Sequence, residues 1–187
     1  DPLSIGLYVT FKCNIDCPFC WNPMVNDEDH LKDDMAVEEV ARILDHPKLK
    51  NAFRVSFTGG EVFSHRDIFK MIELATKKKK LTMVPSNGLL IPKRLEELKK
   101  TRLTSLQISL YDEYLDQQIS NIRLLKKTNP KINLSIARYV TAEEQSFKDM
   151  ERFISIAENL GIRDVCFQNF VAKDENDQHL SIFDDHL

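Results

Sequence analysis

The sequence predicts an α/β fold built on a parallel sheet, and three observations lead there. Short runs rich in β-forming residues recur at 5–11, 53–58, 81–85, 105–110, 132–138 and 165–171. Five segments with apolar residues at helical spacing fall between them. The connections are short, so each helix must carry the chain back to begin another parallel strand, through a right-handed crossover.

The elements follow in order. Ile5-Gly6-Leu7-Tyr8-Val9-Thr10-Phe11 alternates and reads as the first strand. Val37, Val40, Ala41 and Leu44 stand at i, i+3, i+4 and i+7, which predicts a helix from Met35 to about His46, stopped before Pro47. The second strand, Phe53 to Thr58, is closed by Gly59-Gly60-Glu61. Ser64 with Asp67 has the spacing of a capping box, and Ile68, Met71, Ile72 and Ala75 mark the helix after it. Lys77 to Lys80 close that helix, where cations favour the dipole. Leu81 to Pro85 forms a third strand ending in Ser86-Asn87-Gly88, and Pro92 opens a short helix carrying Leu95 and Leu98. Ser105 to Leu110 is a fourth strand, with Leu106, Ile108 and Leu110 on one face and Ser105, Gln107 and Ser109 on the other. Leu115, Ile119, Ile122 and Leu125 mark a helix that ends before Pro130, and Ile132 to Arg138 is a fifth strand. Ser146 with Asp149 repeats the capping-box spacing. Phe147, Met150, Ile154 and Ala157 then face one way, Gly161 suits the helix C-cap, and Val165 to Val171 is the sixth strand. The pattern stops after Lys173, so one domain over 1–173 is expected, with a tail over 174–187 leading to a further domain outside the sequence. The start at Asp1-Pro2 and the acidic end fit a piece of a longer protein. Periodicity alone leaves both an open doubly wound sheet and a partial barrel possible.

Composition narrows the function class. With 187 residues, 42% hydrophobic and 29% charged, the chain has the make-up of an ordinary globular domain with a sizeable core. A net charge of −3 calls for neither a nucleic acid nor an anionic membrane as partner. The apolar runs are too short to span a bilayer, and the start carries no secretory pattern. Of four cysteines three are clustered and Cys166 stands alone, reading as a small buried apolar residue. Clustering of this kind fits metal chemistry in a reducing cytoplasm better than a disulfide framework.

The clustered cysteines, Cys13-Asn14-Ile15-Asp16-Cys17-Pro18-Phe19-Cys20, directly follow the first strand. A core gains nothing from three sulfurs on one loop, whereas a soft metal or an iron–sulfur centre needs them close together. One reading is a zinc site in a non-enzymatic module, completed by His30 or His65. A ferredoxin-type carrier would need a fourth thiolate. The spacing C-x3-C-x2-C, with the aromatic Phe19 before the third cysteine, resembles the cluster motif of the radical SAM superfamily.

That resemblance implies a six-stranded parallel (β/α)6 partial TIM barrel with its site at the C-terminal ends of the strands. It implies that Cys13, Cys17 and Cys20 ligate three irons of a [4Fe–4S] cluster, leaving the fourth iron to S-adenosylmethionine (SAM). Thr58, Gly59, Gly60 and Glu61 match the family's contact with the cofactor's amino group. Ser86 and Asn87 stand where members contact its methionine or ribose part, and are otherwise a simple turn. Ser109 matches a polar fourth-strand position used for ribose or carboxylate. Arg138 is a candidate planar fork for the methionine carboxylate, although its parity with Ile132, Leu134 and Ile136 turns it towards the helices. Phe19 and Trp21 flank Cys20 and either shelter cluster or adenine or pack in the core, and the sixth-strand backbone at Phe167 and Gln168 is expected near adenine. Tyr111 and Asp112 follow the fourth strand, near where some peptide-modifying members carry a substrate-facing acid. The implied chemistry is reductive cleavage of SAM to methionine and a 5′-deoxyadenosyl radical, then hydrogen abstraction from a substrate. The electron donor is expected to be a flavodoxin or ferredoxin, with Lys77 to Lys80 as a candidate dock. The substrate is expected to be a peptide or protein, with a small molecule as the alternative.

Overall fold

The structure is a computed structural model and describes residues 2–17, 20, 22–141 and 144–169. Six strands form one sheet: β1 (Ser4–Thr10), β2 (Arg54–Gly59), β3 (Leu81–Ser86), β4 (Ser105–Ser109), β5 (Asn133–Val140) and β6 (Asp164–Asn169). Between them run α1 (Val37–Asp45), α2 (Ile68–Lys77), α3 (Leu95–Lys100), α4 (Leu115–Thr128) and α5 (Glu144–Asn159). Every neighbouring pair of strands is parallel, and their order in the sheet is their order in the chain. A doubly wound sheet reverses direction partway; this one never does. Successive right-handed crossovers in one direction put every helix on the same face, so the sheet is a six-stranded partial barrel.

That topology makes the two faces unlike. Val9, Val55, Phe57, Val84, Leu106, Ile108 and Ile136 point at the helices and are buried with Val40, Ile72, Ile122 and Phe153. The inward face carries Tyr8, Ser56, Met83, Gln107, Ser109 and Tyr139, all only half-buried. Apolar side chains of β1 to β5 therefore follow a period of two, with the covered side the convex one.

Several local expectations change. Ser64 with Asp67 makes no capping box, because Ser64 closes a separate 3₁₀ turn, Val62–Ser64. Asp67 instead pairs with Lys70 at 2.7 Å, and its N–H donates to His65 Nδ1 at 3.1 Å. Ser146 is not an N-cap either, since α5 already runs from Glu144. Gly161 does end that helix, in the left-handed region at φ +60°, with the Ile162 N–H donating to Ala157 O at 2.8 Å. Cys166 lies half-buried on the inward face, in register with Ala137, rather than in the core. The strand expected to reach Val171 is described only to Asn169, and the 174–187 tail lies outside the described residues.

Candidate active site

A cavity of about 250 Å³ opens at the C-terminal ends of the strands. Its wall includes Cys13, Cys17, Cys20, Thr58, Gly59, Gly60, Ser86, Asn87 and Ser109, residues drawn from the ends of β2, β3 and β4 and the loop after β1. Parallel strands bring their last residues to one edge, which is why residues as far apart in the chain as Cys13 and Ser109 meet there.

Hydrogen bonds hold the cysteine loop at its base. The Cys13 N–H donates to Asn26 Oδ1 at 2.8 Å, and the Asn26 N–H donates to Phe11 O at 3.0 Å. The Cys20 N–H donates to Cys17 O at 3.0 Å. Gly59 and Gly60 serve this loop directly. A Cβ on Gly59 would stand 2.4 Å from Thr10 O, and one on Gly60 would stand 2.5 Å from Lys12 O. Their lack of side chains lets the end of β2 lie against the chain entering the cysteines, where Gly60 N–H donates to Thr10 O at 2.9 Å and Glu61 N–H to Lys12 O at 2.7 Å. The glycines thus permit a backbone–backbone approach as well as lining the cavity.

Glu61 does not line the cavity; it is fully buried behind it. Its carboxylate accepts from Phe63 N–H at 2.9 Å, Ser86 Oγ at 3.0 Å and Asn87 N–H at 2.8 Å. Burial pushes its pKa above the ordinary carboxylate value, and these donors offset part of that rise. Asn87 passes the connection on, donating from Nδ2 to Asn14 Oδ1 at 2.8 Å. One buried acid therefore ties the end of β2 to the end of β3, and Asn87 ties that end to the cysteine loop.

The remaining candidates divide. Ser109 lines the cavity, as the β4 alternation predicts. Arg138 faces the helices instead. Its guanidinium lies 4.6 Å from the Phe153 ring centroid and donates to Asp112 at 2.5 Å and to Leu110 O at 3.2 Å. Asp112, also held by Arg152 at 2.9 Å, is engaged by these cations. Phe167 shares the convex face with Arg138 and packs against the core, while Gln168 is in register with Tyr139 on the concave face, outside the cavity lining. Phe19 and Trp21 lie outside the described residues.

Three tyrosines complete the wall: Tyr8, Tyr111 and Tyr139. Tyr139 follows from parity once β5 is seen to run to Val140 rather than stopping at Arg138. Tyr8 accepts from Asn22 Nδ2 at 2.5 Å. Gln118 of α4 carries no sequence signal beyond a polar side chain on an apolar stripe, yet it is fully buried and organises two strand ends.

The donor set suits a thiolate-bound centre. Burial pushes the Cys13 thiol up to about 11 and raises Cys17 as well, so loading a metal must displace their protons. Among the described residues no three histidine, cysteine or carboxylate side chains converge closely enough to hold a single metal ion. Three thiols on the wall of one cavity are the donor type that zinc and iron–sulfur centres share. His65 is not a fourth ligand: its Nε2 contacts Met35 O at 3.0 Å and its Nδ1 accepts from Asp67. His30 pairs with Asp33 at 3.0 Å and packs on Phe11.

The Lys77 to Lys80 run sits at the other end of the sheet, leading into the start of β3, whereas the cysteines follow the end of β1. Lys77 pairs with Glu73 at 2.8 Å, Lys78 with Asp45, and Lys80 with the carbonyls of Lys50 and Ala52. Among the described residues no helix is long and apolar enough to cross a membrane.

Comparison with known proteins agrees with this geometry. The PqqA peptide cyclase of Granulibacter bethesdensis is 22% identical over 174 residues, covering 86% of this chain and 45% of that protein. The GTP 3′,8-cyclase of Clostridium botulinum is 26% identical over 180 residues, covering 94% of this chain and 49% of the relative. The chain thus spans about half the length of these curated relatives. Streptococcus suis SuiB, solved bound to its precursor peptide SuiA, shares the fold with a TM-score of 0.75 at 21% identity, over 97% of this chain and 42% of SuiB. The sequence profile of the radical SAM superfamily matches residues 7–186, and the chain belongs to that superfamily.

Proposed function

We propose that this chain is the catalytic core of a radical SAM enzyme that modifies a peptide or protein. Cys13, Cys17 and Cys20 would hold a [4Fe–4S] cluster, and the strand ends across the cavity would hold SAM. When bound, the pair supplies one-electron cleavage of SAM to methionine and a 5′-deoxyadenosyl radical, which abstracts hydrogen from the substrate. The protein's part is placement and exclusion of water. Gly59 and Gly60 bring the cysteine loop against β2 and leave their backbone at the cavity wall beside Thr58. Glu61 and Asn87 keep the β3 end in register with that loop. Ser109 offers a hydroxyl for the polar parts of SAM, while the Ser86 hydroxyl is taken up by Glu61 and the Asn87 carboxamide by Asn14 and Leu89. The observation that carries this reading is the meeting of three loop thiols and the Gly-Gly strand end around one cavity.

The peptide substrate is supported by the names of two similar proteins, a peptide cyclase and an enzyme solved with a precursor peptide. The GTP 3′,8-cyclase likeness favours a small molecule as the second reading. A reduced flavodoxin or ferredoxin in a reducing cytoplasm is the proposed electron source. Its dock belongs near the cysteine end, because the lysine run lies at the far end of the sheet. Residues 1–173 form the proposed core.

The test is anaerobic iron–sulfur reconstitution followed by dithionite and SAM. About four irons per chain and formation of 5′-deoxyadenosine are expected, with both lost in Cys17→Ala. Stoichiometric zinc without 5′-deoxyadenosine would refute the reading. Stimulation of turnover by a peptide pool, and not by nucleoside triphosphates, would separate the two substrate classes.

A further inference from the structure

The paired register of β3 and β4 ends with Ser86 opposite Ile108. The next residues, Asn87 and Ser109, line the cavity, and one side chain spans them from behind. Gln118 of α4 donates from Nε2 to Asn87 O and to Ser109 O, each at 2.8 Å. Its Oε1 accepts from the N–H of Tyr111, another residue of the cavity wall, at 3.0 Å. Gln118 itself is fully buried and has no place in that wall.

The three partners are two carbonyls and one N–H. A carboxamide answers them with two donors and an acceptor on one planar head; a carboxylate of the same size offers no donor, and a neutral imidazole only one. Leaving any of the three buried backbone groups unpaired would be costly, so the main chain on both sides is drawn to this one head. One turn along α4, Asn121 Nδ2 donates to Gly88 O at 3.0 Å. Gly88 lies at φ +74°, and a Cβ there would stand 2.9 Å from Ile108 Cγ2, so the turn after β3 sits directly on β4. Asn87 also donates to Asn14 in the cysteine loop. A line of bonds therefore runs from that loop to Ser109 through a side chain outside the site.

We infer that Gln118 is a positioning residue for SAM: by holding the ends of β3 and β4 together it sets the shape of the cavity wall between Asn87 and Ser109, and with it the affinity for the cofactor. The inference rests on SAM occupying this cavity. Asn129 provides a matched comparison. It is a buried amide on the same helix, donating from Nδ2 to Leu98 O at 2.7 Å, but at the end that leads into the start of β5, away from the cavity.

The experiment is calorimetric titration of the reconstituted protein with SAM, on samples matched for iron content, with denaturant unfolding of the same samples. Gln118→Met keeps the volume and removes all three bonds. SAM affinity should fall about ten- to a hundredfold, the scale on which groups that orient metal ligands act. Asn129→Leu should lose comparable stability and bind SAM as the wild type does. If Gln118→Met does not fold, the wild type answers instead. A clamp that favours SAM is favoured by SAM in return, so saturating SAM should slow exchange of the Tyr111 amide hydrogen about tenfold or more and leave the Asn129 amide unchanged. An unchanged affinity in folded Gln118→Met, an equal loss in Asn129→Leu, or Tyr111 exchange that does not respond to SAM would overturn the inference. A wild type that loads iron and binds no SAM would instead refute the cofactor reading, and the inference with it.

Discussion

The two sides of the cavity are built by different means. At the ends of β1, β2 and β3, backbone and side-chain hydrogen bonds join Thr10, Lys12, Gly60, Glu61, Ser86, Asn87 and Asn14 into one continuous set. At the ends of β5 and β6, strand parity places Tyr139 inward, and Arg138 and Phe167 against the helices. The first side tolerates almost no change of shape, because its contacts are between main chains in fixed positions. The second side depends on which face a residue occupies, and its polar groups can find other partners. The cysteine loop is attached to the rigid side, as positioning of a cluster relative to a bound cofactor requires.

The sharpest way to break the rigid side is Gly60→Ala. The added methyl would meet Lys12 O at 2.5 Å and Lys12 C at 2.8 Å, atoms of the main chain that cannot rotate away. A loss of about 3 kcal/mol is expected from overpacking, together with poor iron incorporation. Denaturant unfolding and iron analysis check both. Near-normal values would mean that the two strand ends are not held as tightly as their hydrogen bonds imply.

Next in size is Glu61→Gln, expected to cost about 1–3 kcal/mol because an amide N–H₂ would meet groups that are already donors. The pH dependence sharpens the expectation. The folded-state pKa of Glu61 is raised by burial. Its contribution to stability is then fully present below the ordinary carboxylate value and is lost as pH rises through the raised value. The stability difference between wild type and Glu61→Gln should therefore shrink from acid to neutral pH. Unfolding curves that keep a constant difference across that range would contradict the assignment.

The smallest effect is expected on the other side. Arg138→Ala removes a partly exposed ion pair to Asp112 and a ring contact to Phe153, worth about 1 kcal/mol together. SAM affinity, measured by calorimetry, should not change. A marked loss of affinity would return Arg138 to the cofactor and show that this side rearranges on binding.

Most of the element order was legible in the sequence because each strand and helix carries its own period. Val37, Val40 and Leu44 mark a helix without reference to any neighbour, and the β4 alternation already separates Ser109 from Ile108. The cysteine loop was legible for a chemical reason: three thiols in eight residues have few uses. Glu61 was found by motif but given the wrong place, because a sequence does not say whether a strand-end acid turns to the cavity or to the next strand. Gln118 and Tyr139 were not found. The partners of Gln118 lie seven to thirty-one residues away in the chain, and Tyr139 needed one more turn of the alternation than the strand was given.

By itself the sequence determined the alternation of strands and helices, the three-cysteine loop and the glycine pair, since these depend on local periodicity and on the chemistry of single residues. The tertiary structure decided that the sheet curls one way, with every helix on its convex face. It also decided that Gly59 and Gly60 accommodate the chain leading to the cysteines, that Glu61 is a buried tie between strands, and that Gln118 holds the ends of β3 and β4 from behind. Those outcomes turn on distances between segments far apart in the chain, which follow from strand register and close packing rather than from any local pattern.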